Sequence, residues 1–214
     1  MAQTIRASGA WRAKRTRDAD TVQGMTTETR IAWLAVVAAA LDLLILAALH
    51  LATREVSIST EPTSNYAHTT LGVLMPVGQI AFGLACLAVG LLWRRHRLPA
   101  VLLFVIGVAK IAQAFFPIDP AGAAPTTAGT LHNVLGNVAF WLLPVAAALL
   151  ARPLFRAGHR ATGILGIVLL PVTLLVLVGS ATDLFGLAQR LYLVLGTGWV
   201  LLTGVSALRT THES

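Results

Sequence analysis

Long apolar runs alternate with short polar ones along this chain. Residues 31–51, 69–93, 98–116, 131–151, 161–181 and 191–208 are built predominantly from Ala, Val, Leu, Ile, Phe and Gly. A helix rises about 1.5 Å per residue, so each run is about the length needed to cross the ~30 Å hydrocarbon core of a bilayer. In that core every backbone polar group must find a partner within the protein, which leaves helices or closed barrels. The runs lack the period-2 alternation of barrel strands and therefore predict helices. The expected fold class is all-α, a polytopic membrane bundle of six transmembrane helices.

The segments between the runs set the connectivity. Those around Arg94–Arg97 and Arg152–Arg160 are short and force antiparallel neighbours. Two others are longer: 52–68 is rich in Ser and Thr, and the prolines and glycines of 117–130 exclude a regular helix. Pro76, Pro144 and Pro171 fall within the second, fourth and fifth runs, where each removes an intrahelical bond and can kink its helix. Three runs followed by three would suit an inverted repeat, but no residue-level match links the halves.

The first thirty residues are polar and basic, with no apolar stretch before Ile31, so they do not read as a cleavable signal peptide. Two readings stand side by side. Residues 1–30 form a disordered cytoplasmic arm attracted to anionic lipid, or translation begins at Met25 and 1–24 is an artefact of gene calling. The expected domains are thus this arm, a transmembrane domain over 31–209 and a short cytoplasmic tail, 210–214.

Hydrophobic residues make up 56% of the chain, too many in too long runs for one soluble core. The net charge of +7 does not indicate nucleic acid, because the positive residues sit at helix ends rather than in an aromatic-studded patch. With six spans the termini share a side. Placed in the cytoplasm, the inner segments carry Arg6, Arg12, Lys14, Arg15, Arg17, Arg30, Arg94, Arg95, Arg97, Arg152, Arg156, Arg160 and Arg209. The outer loops carry only Arg54 and Arg190, giving 13 against 2, or 8 against 2 without residues 1–24. That asymmetry predicts a multi-pass protein of the plasma membrane with both termini cytoplasmic. The single cysteine, Cys86, lies inside an apolar run and reads as a buried structural thiol.

Polar side chains gather in the outer half. Asp42 lies near the middle of the first run, Lys110 and Gln113 near the outer end of the third, and Asp119 just beyond it. His132, Asn133 and Asn137 open the fourth, and Gln189 and Arg190 precede the last. A charge at bilayer depth costs several kcal/mol (about 2.5–3.5 on insertion scales), so Asp42 and Lys110 should face the interior. They form either an internal salt bridge that fixes packing or a titratable pair lining a cavity. Asn133 and Asn137, one turn apart, are interhelical hydrogen-bond glue or a polar cavity wall, with Gly136 allowing close approach. Asp119 near His132 suggests a carboxylate–histidine contact. No tight metal-ligand motif, phosphate loop or nucleophile elbow is present, so neither a metal nor a cofactor is expected.

Three elements carry a family resemblance: Phe116-Pro117-Ile118-Asp119-Pro120, then Thr130-Leu131-His132-Asn133 with Gly136, then Gly186-Leu187-Ala188-Gln189-Arg190. Together they resemble the signature of a bacterial and archaeal six-helix membrane family known as domain of unknown function 998, over residues 31–209. The Phe-Pro-x-Asp element followed by a histidine at the next helix start is the more specific part. That family is distantly similar to eukaryotic membrane proteins of the Frag1, DRAM and Sfk1 type, linked to lipid and autophagy processes, which is analogy of fold alone. The resemblance implies a six-helix fold and no established activity, and it singles out Asp119, His132 and Arg190.

Three function classes follow. The favoured one is a non-enzymatic membrane protein that binds, and by extension moves, a lipid head group or small polar ligand in an outward-facing pocket. The others are a membrane-embedded hydrolase or transferase using Asp119 and His132, and an assembly factor for another membrane complex. Six spans are few for a transporter unless the chain forms a homodimer, and no nucleophile–base–orienter set marks an enzyme. The candidate ligand-binding residues are Asp119, His132, Arg190, Lys110, Asp42, Asn133, Asn137 and Gln113. Asp119, His132 and Arg190 are expected to converge in one site, with Arg190 engaging a carboxylate or an anionic ligand.

Overall fold

The apolar runs fold as helices in the computed structural model, which describes residues 25–212; both readings of residues 1–24, and the end of the tail, lie outside the described residues. The order is α1 (Thr27–Ala52), a 3-10 helix (Thr63–His68), α2 (Leu74–Leu92), α3 (Arg97–Gln113), α4 (Thr127–Arg156), α5 (Arg160–Ser180) and α6 (Phe185–His212). Among the described residues there is no strand. Five helices, α1, α2, α4, α5 and α6, are long and apolar enough to cross a membrane. The remaining one, α3, is 17 residues long.

Helix boundaries depart from the apolar runs where polar chemistry decides them. Helix α1 starts at Thr27, ahead of the run, because the Thr26 hydroxyl accepts the N–H of Thr29 and caps the first turn. Helix α2 starts only at Leu74, after 69–73 are spent in tight turns. Helices α4 and α5 are joined by three residues, and Gly158 there takes φ +82°, the left-handed conformation that closes a helix without Cβ strain.

Each helix packs against its sequence neighbours, and α6 closes the ring against α1. Neighbours are antiparallel: Glu28 at the start of α1 meets Arg94 just beyond α2, and Thr162 early in α5 meets Ser206 late in α6. Six antiparallel helices put Thr27 and His212 at one end and the two long loops, 53–73 and 114–126, at the other. The inside is lined with small side chains, among them Ala35, Ala39, Ala85, Ala146 and Ala147. Helices α2 and α3 approach closely, and a Cβ on Gly83 would lie 2.7 Å from the Gly107 carbonyl oxygen. Leu44, Val101, Leu174 and Val178 point outward, as the lipid-facing side of such a bundle requires.

Proline shapes the middle of the bundle. Pro144 lies inside α4 and has no N–H, so the carbonyl of Phe140 one turn earlier loses its helical donor. The buried Tyr192 hydroxyl of α6 donates to that oxygen at 2.6 Å and stacks a tilted ring on Phe140. The missing bond is thereby replaced across helices.

Candidate functional site

A cavity of about 510 Å³ occupies the loop half of the bundle. Its polar wall is drawn from five helices: Asp42 of α1, Gln79 of α2, Lys110 and Gln113 of α3, Asn133 and Asn137 of α4, and Thr197 of α6. His132 completes it on the α4 side. Six of the eight candidates named from the sequence therefore line one space.

The charged pair does not form a salt bridge; among the described residues the ion pair within 4 Å is Arg94–Glu28. Each charge is held by a neutral partner. The Thr197 hydroxyl donates to Asp42 Oδ2 at 2.9 Å, and Lys110 Nζ donates to Gln113 Oε1 at 2.6 Å. Gln113 Nε2 then donates to the His132 carbonyl at 3.1 Å, fastening α3 to α4. His132 Nδ1 lies 2.7 Å from the Phe116 carbonyl oxygen, which can only accept, so the proton sits on Nδ1 and a neutral ring offers Nε2 as an acceptor. Of the two sequence readings of Asp42 and Lys110, the salt bridge is corrected: both lie on the cavity wall, apart. The hydrogen-bond-glue reading of Asn133 and Asn137 is corrected too, because both line the cavity and neither side-chain amide makes a hydrogen bond among the described residues.

Asp119 and Arg190 go elsewhere. Asp119 accepts the Thr126 N–H at 2.9 Å and the Thr126 hydroxyl at 2.7 Å, while that hydroxyl accepts from Gly129 N as the cap of α4. The carboxylate packs against Gly129, where any Cβ would collide with it. The Thr126 hydroxyl and N–H together hold the Asp119 carboxyl below the usual carboxylate range. Its expected contact with His132 is not formed, since His132 turns to the Phe116 carbonyl.

Arg190, only 7% exposed, engages backbone rather than a carboxylate. Its Nη1 donates to the carbonyls of Ile58 (3.0 Å), Glu61 (2.8 Å) and Gly186 (3.0 Å). Its Nη2 donates to the Tyr66 hydroxyl at 3.1 Å, and the guanidinium lies 5.4 Å from the Tyr66 ring centroid. Gln189 beside it accepts the Thr63 N–H at 2.8 Å, and Leu187 N donates to the Ser59 carbonyl. Gly186 is required here, because a Cβ would sit 2.5 Å from the Glu61 carbonyl oxygen. Glu61 braces the same loop: its carboxylate accepts the Ser57 N–H and the Asn65 amide, which keep its carboxyl below the ordinary range. Since Pro62, Thr63 and Ser64 line the cavity, this loop is its roof and Arg190 is the latch that holds it.

The expected convergence of Asp119, His132 and Arg190 is therefore corrected. Asp119 is spent on capping α4, Arg190 on roof carbonyls, and His132 alone of the three reaches the cavity. Gln79 and Thr197 were missed from the sequence. Gln79 had a signal, as the single amide in the apolar run of α2; Thr197 had none, since threonine is common in membrane helices.

No curated protein and no solved structure matches the chain. A family model described as "Protein of unknown function (DUF998)" matches residues 36–206. The more distant likeness to Frag1, DRAM and Sfk1-type proteins is carried by none of these matches. The matched stretch includes α2 to α5 whole, most of α1 and α6, and every residue of the cavity wall; the chain belongs to the DUF998 family.

Proposed function

We propose that this chain is a six-span integral protein of the plasma membrane, with both termini cytoplasmic, that binds a lipid head group or small polar ligand in the outward-facing cavity. The observation that carries this reading is the pair Asp42 and Lys110, two opposite charges on one cavity wall without a salt bridge. Charges placed at bilayer depth are costly, and here they are aimed at a space rather than at each other. The volume, about 510 Å³, suits a small ligand with a few convergent polar groups. Helix α3 counts as a span in this reading: at 17 residues it covers about 25 Å, and its antiparallel packing between α2 and α4 carries it along the same course. A hydrolase or transferase reading is not favoured, because Asp119 caps a helix and His132 bonds the Phe116 carbonyl rather than that carboxylate.

The test is native mass spectrometry of the full chain purified from membranes in mild detergent. The wild type should carry a bound mass released on activation, and Lys110→Met should lose most of it while remaining monodisperse. A wild type that carries detergent alone, or a bound mass that Lys110→Met and Asp42→Asn both keep, would overturn the binding reading.

A further inference from the structure

The cavity is roofed on its loop side, yet its wall reaches the outside of the bundle. Trp141 of α4 and Leu177 of α5 both line it, and each is 44% exposed. Trp141 continues the outward stripe of Val134 and Val145, and Leu177 that of Leu170 and Leu174. Ser180 lines the same edge. A space bounded by the outward stripes of two adjacent helices breaches the ring between them. This mouth lies between α4 and α5, beside the turn of α4 where Pro144 removes a helical bond and Tyr192 replaces it.

Chemistry changes from the mouth inward. At the α4 edge, Asn133 and Asn137 present amides without hydrogen-bond partners among the described residues. Unpaired amides facing hydrocarbon are unfavourable, so this edge suits a polar group arriving from the membrane side. Deeper lie Lys110, with ammonium protons beyond the one given to Gln113, and Asp42, with Oδ1 free of the Thr197 bond. One cation and one anion, held apart by separate neutral partners, complement a ligand that itself carries both charges.

We infer that the ligand is a zwitterionic membrane lipid that enters sideways between α4 and α5, its phosphate meeting Lys110 and its ammonium meeting Asp42. This rests on the reading of the cavity as a binding site. The cavity holds a head group, and the acyl chains remain in the bilayer along Trp141 and Leu177. The roof, latched by Gln189 and Arg190, leaves the lateral mouth as the route in.

Full-length protein in detergent, titrated with phosphatidylethanolamine, phosphatidylglycerol or free phosphoethanolamine, separates the possibilities, with retention read by native mass spectrometry and by the thermal midpoint. The wild type should prefer phosphatidylethanolamine over phosphatidylglycerol by about tenfold or more, the scale of one desolvated charge contact. Asp42→Asn should shrink that preference to within about threefold, since the ammonium partner is gone. Lys110→Met should weaken both lipids about tenfold, with Lys110→Arg restoring part of the loss. The wild-type comparison decides the charge class even if a variant fails to fold. Equal retention of the two lipids, both weakened by Lys110→Met, would overturn the zwitterionic ligand and leave the binding site standing. Free phosphoethanolamine binding as tightly as the lipid would overturn the membrane source and sideways entry. Retention of none of the three would overturn this inference, and the cavity reading would fall only if the protein also purified without any bound mass.

Discussion

At the scale of single residues, the cavity depends on a substitution of one hydrogen bond for another. Pro144 deprives the Phe140 carbonyl of its helical donor, and Tyr192 supplies a donor from α6 at 2.6 Å. Tyr192→Phe keeps the ring packing on Phe140 and removes only that donor. The expected cost is about 0.6–2 kcal/mol, the range for interhelical hydrogen bonds in membrane proteins. Pro144→Ala restores an N–H that can reach Phe140 within the helix, so Tyr192→Phe in that background should cost clearly less. A double-mutant cycle in detergent, followed by thermal or denaturant unfolding, measures the coupling. Additive effects would show that the Tyr192 hydroxyl does not stand in for the helical bond that Pro144 removes.

At the scale of elements, the roof loop owes its place to α6 more than to its own secondary structure. Its regular part is a six-residue 3-10 helix, and Arg190 alone reaches two of the loop's carbonyls, those of Ile58 and Glu61, and the Tyr66 hydroxyl. A guanidinium suits this task because its fork presents several donors in a plane, whereas an ammonium is a single compact point. Arg190→Met should release the loop without unfolding the bundle. Hydrogen bonds to a charged donor contribute about 1.5–3 kcal/mol, which corresponds to amide exchange about ten- to a hundredfold faster across residues 57–66. Arg190→Lys should fall between the two. Exchange confined to wild-type rates in Arg190→Met would assign the hold to Gln189 and Leu187 instead. The existence of all six α-helices was legible from apolar run length alone. Their ends were not: Thr26 extended α1 by capping, and the turns of 69–73 shortened α2, both decided by polar groups that hydropathy does not register. The role of Arg190 was half legible. Its scarcity on the loop side marked it as engaged, but the partners are carbonyls, and a backbone acceptor leaves no trace in a sequence.

At the scale of the whole molecule, six of the polar residues that line the cavity were legible because polar side chains are rare inside apolar runs. Asp119, nine residues on from Lys110, was already outside the apolar run, and it lies beyond α3 where α4 needs a cap. The proposed direction in which the cavity faces is argued from charge. The end that holds Thr27 and His212 carries Arg94, Arg95, Arg97, Arg152, Arg156 and Arg160, whereas the described loop end carries Arg54 and the carbonyl-bound Arg190. That distribution supports the proposed orientation, with the basic end in the cytoplasm. Alkaline phosphatase needs disulfides and so matures only outside the cytoplasm, which makes it a reporter of side. Fused after Gly122 it should be active, and fused after Arg95 it should be silent. These two positions flank α3, the one helix whose 17 residues leave its crossing to be tested. Opposite activities in the expected order would mean that α3 spans and that the cavity opens outward. The reverse order would turn the cavity toward the cytoplasm. Equal activities would mean that α3 does not cross, and both the six-span count and the shared side of the termini would then fall together.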